Sequence, residues 1–261
     1  MANDFQPDRD RPFVDIMIKQ CNSNHKYLEC DSKKQLEFLY KSVESRDLPT
    51  MADVDSSLLY FCSRVKDYNK VVLTGECADE IFGGYPWFHK EELVKGSGFP
   101  WNRDIETRKL LLKDKVINKL NMEEYAVEAY KKSVNETPRL NLDNDIEKIR
   151  REISYINQKW FMQTLLDRMD RTSMYWGLEA RVPFADHRIV EYVWNVPWEM
   201  KAKDGEVKHL LKAAFKDILP KDIVYRKKSP YPKTYDPEYE RMLIHHIIDI
   251  IEDDNSPINV L

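Results

Sequence analysis

The segment Val71-Val72-Leu73-Thr74-Gly75 limits the possible folds of this chain more than any other. It is a short apolar run that stops at a glycine. A helix-forming stretch, Ala78-Asp79-Glu80-Ile81-Phe82, follows almost at once and ends in Gly83-Gly84. An apolar run without alternation fits a buried strand of a parallel sheet. Such strands need crossover connections, and the residues upstream supply helical ones. Leu36, Leu39, Tyr40 and Val43 recur at helical spacing after an N-cap at Asp31 or Ser32. Leu58, Leu59, Phe61, Cys62 and Val65 mark a second helix, reached through a loop from Arg46 to Asp55. Lys26-Tyr27-Leu28-Glu29 reads as a short strand, so the rhythm is strand, helix, helix, strand. It predicts that Val71–Thr74 pairs in parallel with Tyr27–Glu29, with Glu76 and Asp79 at the carboxyl edge.

Beyond Gly84 the pattern turns almost wholly helical. Glu91 to Arg103 reads as a loop, with two or three short helices after it to about Lys132. A long helix is expected over roughly Asp143 to Met174, and another from near Asp186. From Glu206, residues Val207, Leu210, Leu211, Ala214, Phe215 and Ile218 form an amphipathic stripe. Tyr225 to Pro237 contains three prolines and reads as a loop. The expected organisation is an α/β part over 1–90 and a helical part over 91–261.

Composition excludes several classes. The 261 residues are 42% hydrophobic and 33% charged, and aromatics are plentiful, which argues against disorder. A net charge of −4, without basic blocks, argues against nucleic acid as a partner. No apolar run reaches membrane-spanning length and no leader-like stretch opens the chain, so a cytoplasmic location without membrane contact is expected. Cys21, Cys30, Cys62 and Cys77 form no CxxC pair and read as reduced thiols.

The chemistry gathers where the strand ends. In parallel sheets, ligands bind at the carboxyl ends of strands. Gly75 lets backbone approach a ligand, and a helix start offers free N–H groups to anions. Glu76, Asp79 and Glu80 crowd the same turn. Acidic residues there can simply offset the helix dipole, which is an equal reading for Glu80 and a weaker one for Glu76 and Asp79. Carboxylates beside a polyphosphate repel it unless a cation intervenes, so a nucleotide here implies magnesium. An Asp170–Arg pair, a helix C-terminus at Gly83-Gly84, core roles for Trp87, Trp176 and Trp194, and a solvated loop at Arg226-Lys227 are the plain structural expectations. Arg181 is balanced between a substrate carboxylate and a buried partner.

Thr74-Gly75-Glu76-Cys77-Ala78-Asp79-Glu80-Ile81-Phe82-Gly83-Gly84-Tyr85 resembles the second signature of the glutamine-dependent asparagine synthetases. Two more stretches resemble the same family, in family order. One comprises Arg168–Met174 with Gly177-Leu178-Glu179-Ala180-Arg181-Val182-Pro183-Phe184; the other is Lys208-His209-Leu210-Leu211-Lys212 followed by Arg226-Lys227-Lys228. The resemblance implies a parallel-sheet ATP-pyrophosphatase domain of the adenine nucleotide alpha hydrolase type, mostly α-helical overall. It implies that ATP and Mg²⁺ serve to adenylate aspartate and that ammonia then displaces AMP. By position, Thr74 and Gly75 would contact ATP, Glu76 would act as acid and base, and Asp79 would hold magnesium. Lys228 would steady charge on the α-phosphate, and Arg181 would bind substrate.

The family's first signature, Ser-Gly-Gly-x-Asp-Ser, which wraps the pyrophosphate, does not occur in these residues. Nor does a glutaminase part with its N-terminal cysteine nucleophile. The chain is therefore expected to be part of a longer synthetase whose N-terminal glutaminase domain supplies ammonia. Alone it is expected to make no asparagine, to bind Mg-ATP too weakly to detect, and to self-associate; homodimerisation stays open. Cys77 and Ala78 depart from the commoner Gly and Ser or Ala, and Met51–Asp55 departs from a Thr and Arg found in many relatives. The acid and amine substrates are correspondingly less fixed than the adenylation. The alternatives are an adenylating cyclase like β-lactam synthetase, or a non-catalytic helical module.

Overall fold

The computed structural model describes residues 10–49, 51, 54–94, 96–102, 104–141, 143–227 and 236–260. Backbone contacts divide the chain into two units. The first comprises Met1–Thr74, Asp167–Arg181 and Lys212–Glu252; the second comprises Gly75–Leu166, Val182–Leu211 and Asp253–Leu261.

In the first unit, helices form over Arg11–Cys21, Ser32–Glu37, Leu39–Arg46, Asp55–Val65 and Pro237–Glu252. Asp31 caps its helix, its carboxylate accepting the Lys34 N–H at 2.7 Å. The helical run expected through Val43 breaks at Phe38 into two pieces. The strand expected at Val71 is present. β1 (Val71–Leu73) pairs in parallel with β2 (Glu179–Arg181), Val71 opposite Glu179 and Leu73 opposite Arg181. The ladder continues through Glu179 N–H to the Lys70 carbonyl at 2.8 Å and Thr74 N–H to the Arg181 carbonyl at 2.9 Å.

The expected partner, Tyr27–Glu29, is not a strand. The Tyr27 hydroxyl donates to Asp15 at 2.7 Å and the Arg11 guanidinium lies 4.5 Å from its ring, so side-chain contacts to the first helix fix this segment. Only one face of β1 is buried, whereas an unbroken apolar run suggests two. Val72 packs with Leu58, Cys62, Val65, Met169, Trp176 and Leu178, while Val71 and Leu73 are 41% and 73% exposed. Leu58 and Leu178, the buried aliphatic side chains of that cluster, each contribute about 1.5–3 kcal/mol.

A buried charge cluster ties down the same unit. Arg46 meets Asp55 at 3.1 Å and Asp167 at 3.2 Å, and Asp55 also accepts the Met51 N–H at 2.9 Å. Asp167 meets Arg171 at 2.7 Å as well. The acid paired with arginine on this helix is thus Asp167, which faces Arg46; Asp170, the expected one, is exposed.

In the second unit, helices form over Ala78–Phe82, Glu91–Val94, Ile105–Lys109, Asp114–Leu120 and Met122–Asn135. The Glu91–Val94 turn falls in what reads as loop from sequence. The long helix begins at Asp145, capped by the Asn144 side chain on the Glu147 N–H at 2.9 Å. A π-helical stretch, Asn157–Met162, follows in sequence, and then the helix Gln163–Met174, which belongs to the first unit from Asp167 on. Asp186 caps His187–Asn195. The helix expected from Glu206 runs only over His209–Phe215, because Lys208 turns the backbone into the left-handed region at φ 58°. The core joins Cys77, Ala78, Ile81, Phe82, Met162 and Val193. Among the described residues no helix is long and apolar enough to cross a membrane.

Candidate active site

The strand end lies in the first unit. Thr74 commits its backbone N–H to the Arg181 carbonyl, so any ligand contact from Thr74 falls to its hydroxyl. Gly75 follows, exposed, and a Cβ built on it meets nothing within 4 Å. The backbone there is not crowded by neighbouring atoms. On β2 the Arg181 side chain is exposed and its Nε donates to Glu179 at 2.7 Å. Arg181 is therefore no buried structural partner.

The acidic turn lies in the second unit. Glu76 is half-buried, and Cys77 takes up a left-handed conformation at φ 69° directly before the helix Ala78–Phe82. That conformation costs a non-glycine residue about 1–2 kcal/mol, which the Cys77 side chain offsets by being 1% exposed within the core. Burial, with Glu80 and Glu76 adding to it, pushes the Cys77 thiol up to about 12. A thiol held protonated is a core group and not a nucleophile.

The two glycines ending the helix have separate reasons. Gly83 lies at φ 69°, and a Cβ there would come within 2.5 Å of the Trp198 ring. A Cβ on Gly84 would fall 1.7 Å from an Asp79 carboxylate oxygen. The Asp79 side chain thus folds over Gly84, and the Gly84 N–H donates to the Asp79 carbonyl at 2.7 Å.

Asp79 has a cationic partner that the sequence reading left without a role. The Lys208 ammonium sits 2.7 Å from its Oδ1. The positive φ of Lys208 places that residue just before the helix His209–Phe215, whose Leu210 and Leu211 pack on the core around Cys77. The sequence signal was present, since Lys208-His209 opens the third resembling stretch, but its target lies in a distant segment. Glu80, 2% exposed, accepts the Tyr85 hydroxyl, and the Asn157 amide donates to the Glu80 carbonyl at 3.4 Å. Burial and the Glu80 carboxylate push the Tyr85 phenol far above its usual range. Glu80 is therefore a structural acid rather than a dipole partner on the surface.

Magnesium can be tested against this donor set. Among the described residues no three His, Cys, Asp or Glu side chains gather as a metal cage. Magnesium does not need one, since one or two carboxylates with substrate phosphates suffice. Asp79 is a hard oxygen donor, 25% exposed and already beside a cation, and it fits such a site. Arg226 meets Asp10 and lies 4.4 Å from the Phe13 ring, whereas Lys227 is exposed. Lys228 lies outside the described residues.

The sequence matches the asparagine synthase family over residues 2–261. This chain belongs to that family. Asparagine synthetase (glutamine-hydrolyzing) 3 of Bacillus subtilis (strain 168) is 51% identical over 240 residues, covering 92% of this chain and 39% of that protein. Asparagine synthetase (glutamine-hydrolyzing) of Rattus norvegicus is 28% identical over 202 residues, 76% of this chain and 27% of the relative. Asparagine synthetase (glutamine-hydrolyzing) 1 of Bacillus subtilis is 27% identical over 215 residues, 70% of this chain and 34% of the relative. The chain thus spans well under half the length of each of these asparagine synthetases.

Proposed function

We propose that these residues form the synthetase part of a glutamine-dependent asparagine synthetase with an ATP-pyrophosphatase type of fold. The observation that carries the reading is the acidic turn Glu76–Glu80 directly after the open strand end at Gly75, in a chain 51% identical to an asparagine synthetase. An oxygen of the aspartate side-chain carboxylate attacks the α-phosphorus of ATP and pyrophosphate leaves. Ammonia then attacks the acyl carbon of the β-aspartyl-adenylate, AMP leaves, and the surplus proton passes to a base.

The Thr74 hydroxyl and Gly75 would contact the nucleotide, and Glu76 would take the proton. Asp79 would hold magnesium, which would screen the pyrophosphate oxygens from the acidic turn, with Lys208 holding that carboxylate in place. Lys228 would offset charge growing at the α-phosphate, and Arg181 would give up Glu179 for the substrate carboxylate. An N-terminal glutaminase domain would supply ammonia, in the cytoplasm.

The test uses the whole protein. Glu76→Gln should lower aspartate-dependent pyrophosphate release by about 10²–10⁴-fold, the range for a general acid or base. Lys228→Ala should lower it by about 10²–10³-fold, the range for one transition-state charge stabiliser. Residues 1–261 expressed alone should make no asparagine, because they lack the Ser-Gly-Gly-x-Asp-Ser loop. Unchanged pyrophosphate release in both variants would remove the assignment.

A further inference from the structure

A second charged cluster, none of whose members has a role above, lies beside the helix Asp145–Ile156. Arg151 pairs with Asp143 at 2.7 Å and donates to the Trp194 carbonyl at 2.6 Å; both side chains of the pair are nearly buried. Arg150 donates through Nη1 to the Phe88 carbonyl, while its Nε is buried with no hydrogen-bond partner among the described residues. Lys201 is 6% exposed, and the charges acting on its ammonium are Arg151 and Glu147. No described residue hydrogen-bonds to that ammonium. Glu147 accepts the Trp198 N–H at 3.0 Å. Three cations thus face two carboxylates, and one positive charge remains over.

Glu147, Arg150, Arg151 and Lys201 line a small pocket with Ser154, walled by Trp194 and Trp198, in which about 10 Å³ is open to the centre of a water-sized particle. The Arg150 guanidinium lies 4.7 Å from the Trp198 ring centre. A buried charge left uncompensated is costly. The molecule has two ways out: Lys201 gives up its proton, or an anion enters. We propose that this pocket binds one small monovalent anion, of which chloride is the type, between the Lys201 ammonium and the Arg150 Nε–H. So small a space suits a monatomic ion better than phosphate or sulfate. The Ser154 hydroxyl lines the same pocket and can turn its proton toward the ion. Glu147 lines it too, but its Oε1 is engaged by Trp198 and the charge count stays positive with Glu147 included.

The experiment is a thermal unfolding series on the 261-residue chain, replacing sodium gluconate by sodium chloride at constant ionic strength. Wild-type Tm should rise saturably with chloride. In Lys201→Met, which removes the surplus charge, the apparent chloride affinity should fall by at least about tenfold, the effect of losing one charge-assisted contact. A crystal grown in bromide keeps the test open if that variant fails to fold. An anomalous peak within contact of Lys201 Nζ and Arg150 Nε supports the site. A flat wild-type Tm, an equal response in Lys201→Met, or no bromide peak in the pocket, leaving water as its occupant, overturns it.

Discussion

At the scale of single residues, position often matters more than type. Gly84 is required by the carboxylate folded over it, not by an unusual backbone angle. Gly84→Ala must push the Asp79 side chain aside, since the new Cβ would lie 2.6 Å from its Cγ. We predict a loss of about 1–3 kcal/mol in urea unfolding, typical of overpacking, together with loss of the Asp79–Lys208 pair. A second prediction concerns Lys201. Burial, then Arg151, pushes its ammonium down to about 8, with Glu147 opposing. The unfolded lysine keeps its proton to about 10.5, so between these values the unfolded chain binds more protons and stability rises with pH. Urea midpoints measured in gluconate from about pH 8 to about pH 10 should climb in wild type, and much less in Lys201→Met. Neither prediction was visible in the sequence. The Gly-Gly pair read correctly as a helix end, but the reasons for each glycine lie in Trp198 and Asp79. Lys201 carries no local signal of burial at all.

At the scale of elements, the legible parts were those with long periodicity or a distinct end. The helix from Asp145 and the strand at Val71 follow from apolar spacing, and the Asp31 cap from its residue type. The π-helical stretch at Asn157–Met162 leaves no such mark, and β2 was missed because Glu179-Ala180-Arg181 has two charged residues in three. Tyr27–Glu29 looked like a strand, yet its tyrosine is spent on Asp15 and Arg11. Of the proposed site residues, Glu76 and Asp79 were readable from the turn, whereas the Lys208 contact joins distant segments and needs coordinates. The helix Asp55–Val65 supplies a further prediction, because its first residue anchors the Arg46 cluster while 0% exposed. Asp55→Ala should cost about 3–5 kcal/mol, the usual penalty for stripping one partner from a buried pair. The double variant Arg46→Met with Asp55→Ala should recover a good part of it. Urea unfolding of wild type, Arg46→Met, Asp55→Ala and the double variant decides the point; a double variant as unstable as the sum of both singles would mean that Arg46 acts through Asp167 alone.

At the scale of the whole molecule, the family was legible because three stretches of the right spelling occur in the right order. The tertiary reason they belong together appears only in the sheet. β1 carries the approach to the first stretch and β2 the middle of the second, and the ladder joins Val71 to Glu179. That pairing closes a loop of roughly a hundred residues, whose entropy must be met before the contact gives anything back. The helices on either side need only local contacts. The turn bearing Glu76 is therefore expected among the last parts of the chain to take its final shape, after most of the helical structure is in place. Val72→Ala offers the measurement: it should accelerate unfolding and leave the refolding rate nearly unchanged, a φ-value near zero. A φ-value near one would place the ladder in the folding nucleus. With late closure, a nascent chain completes its helices before it has a working strand end, and mutations that weaken the ladder shorten the lifetime of the folded site rather than delay its birth.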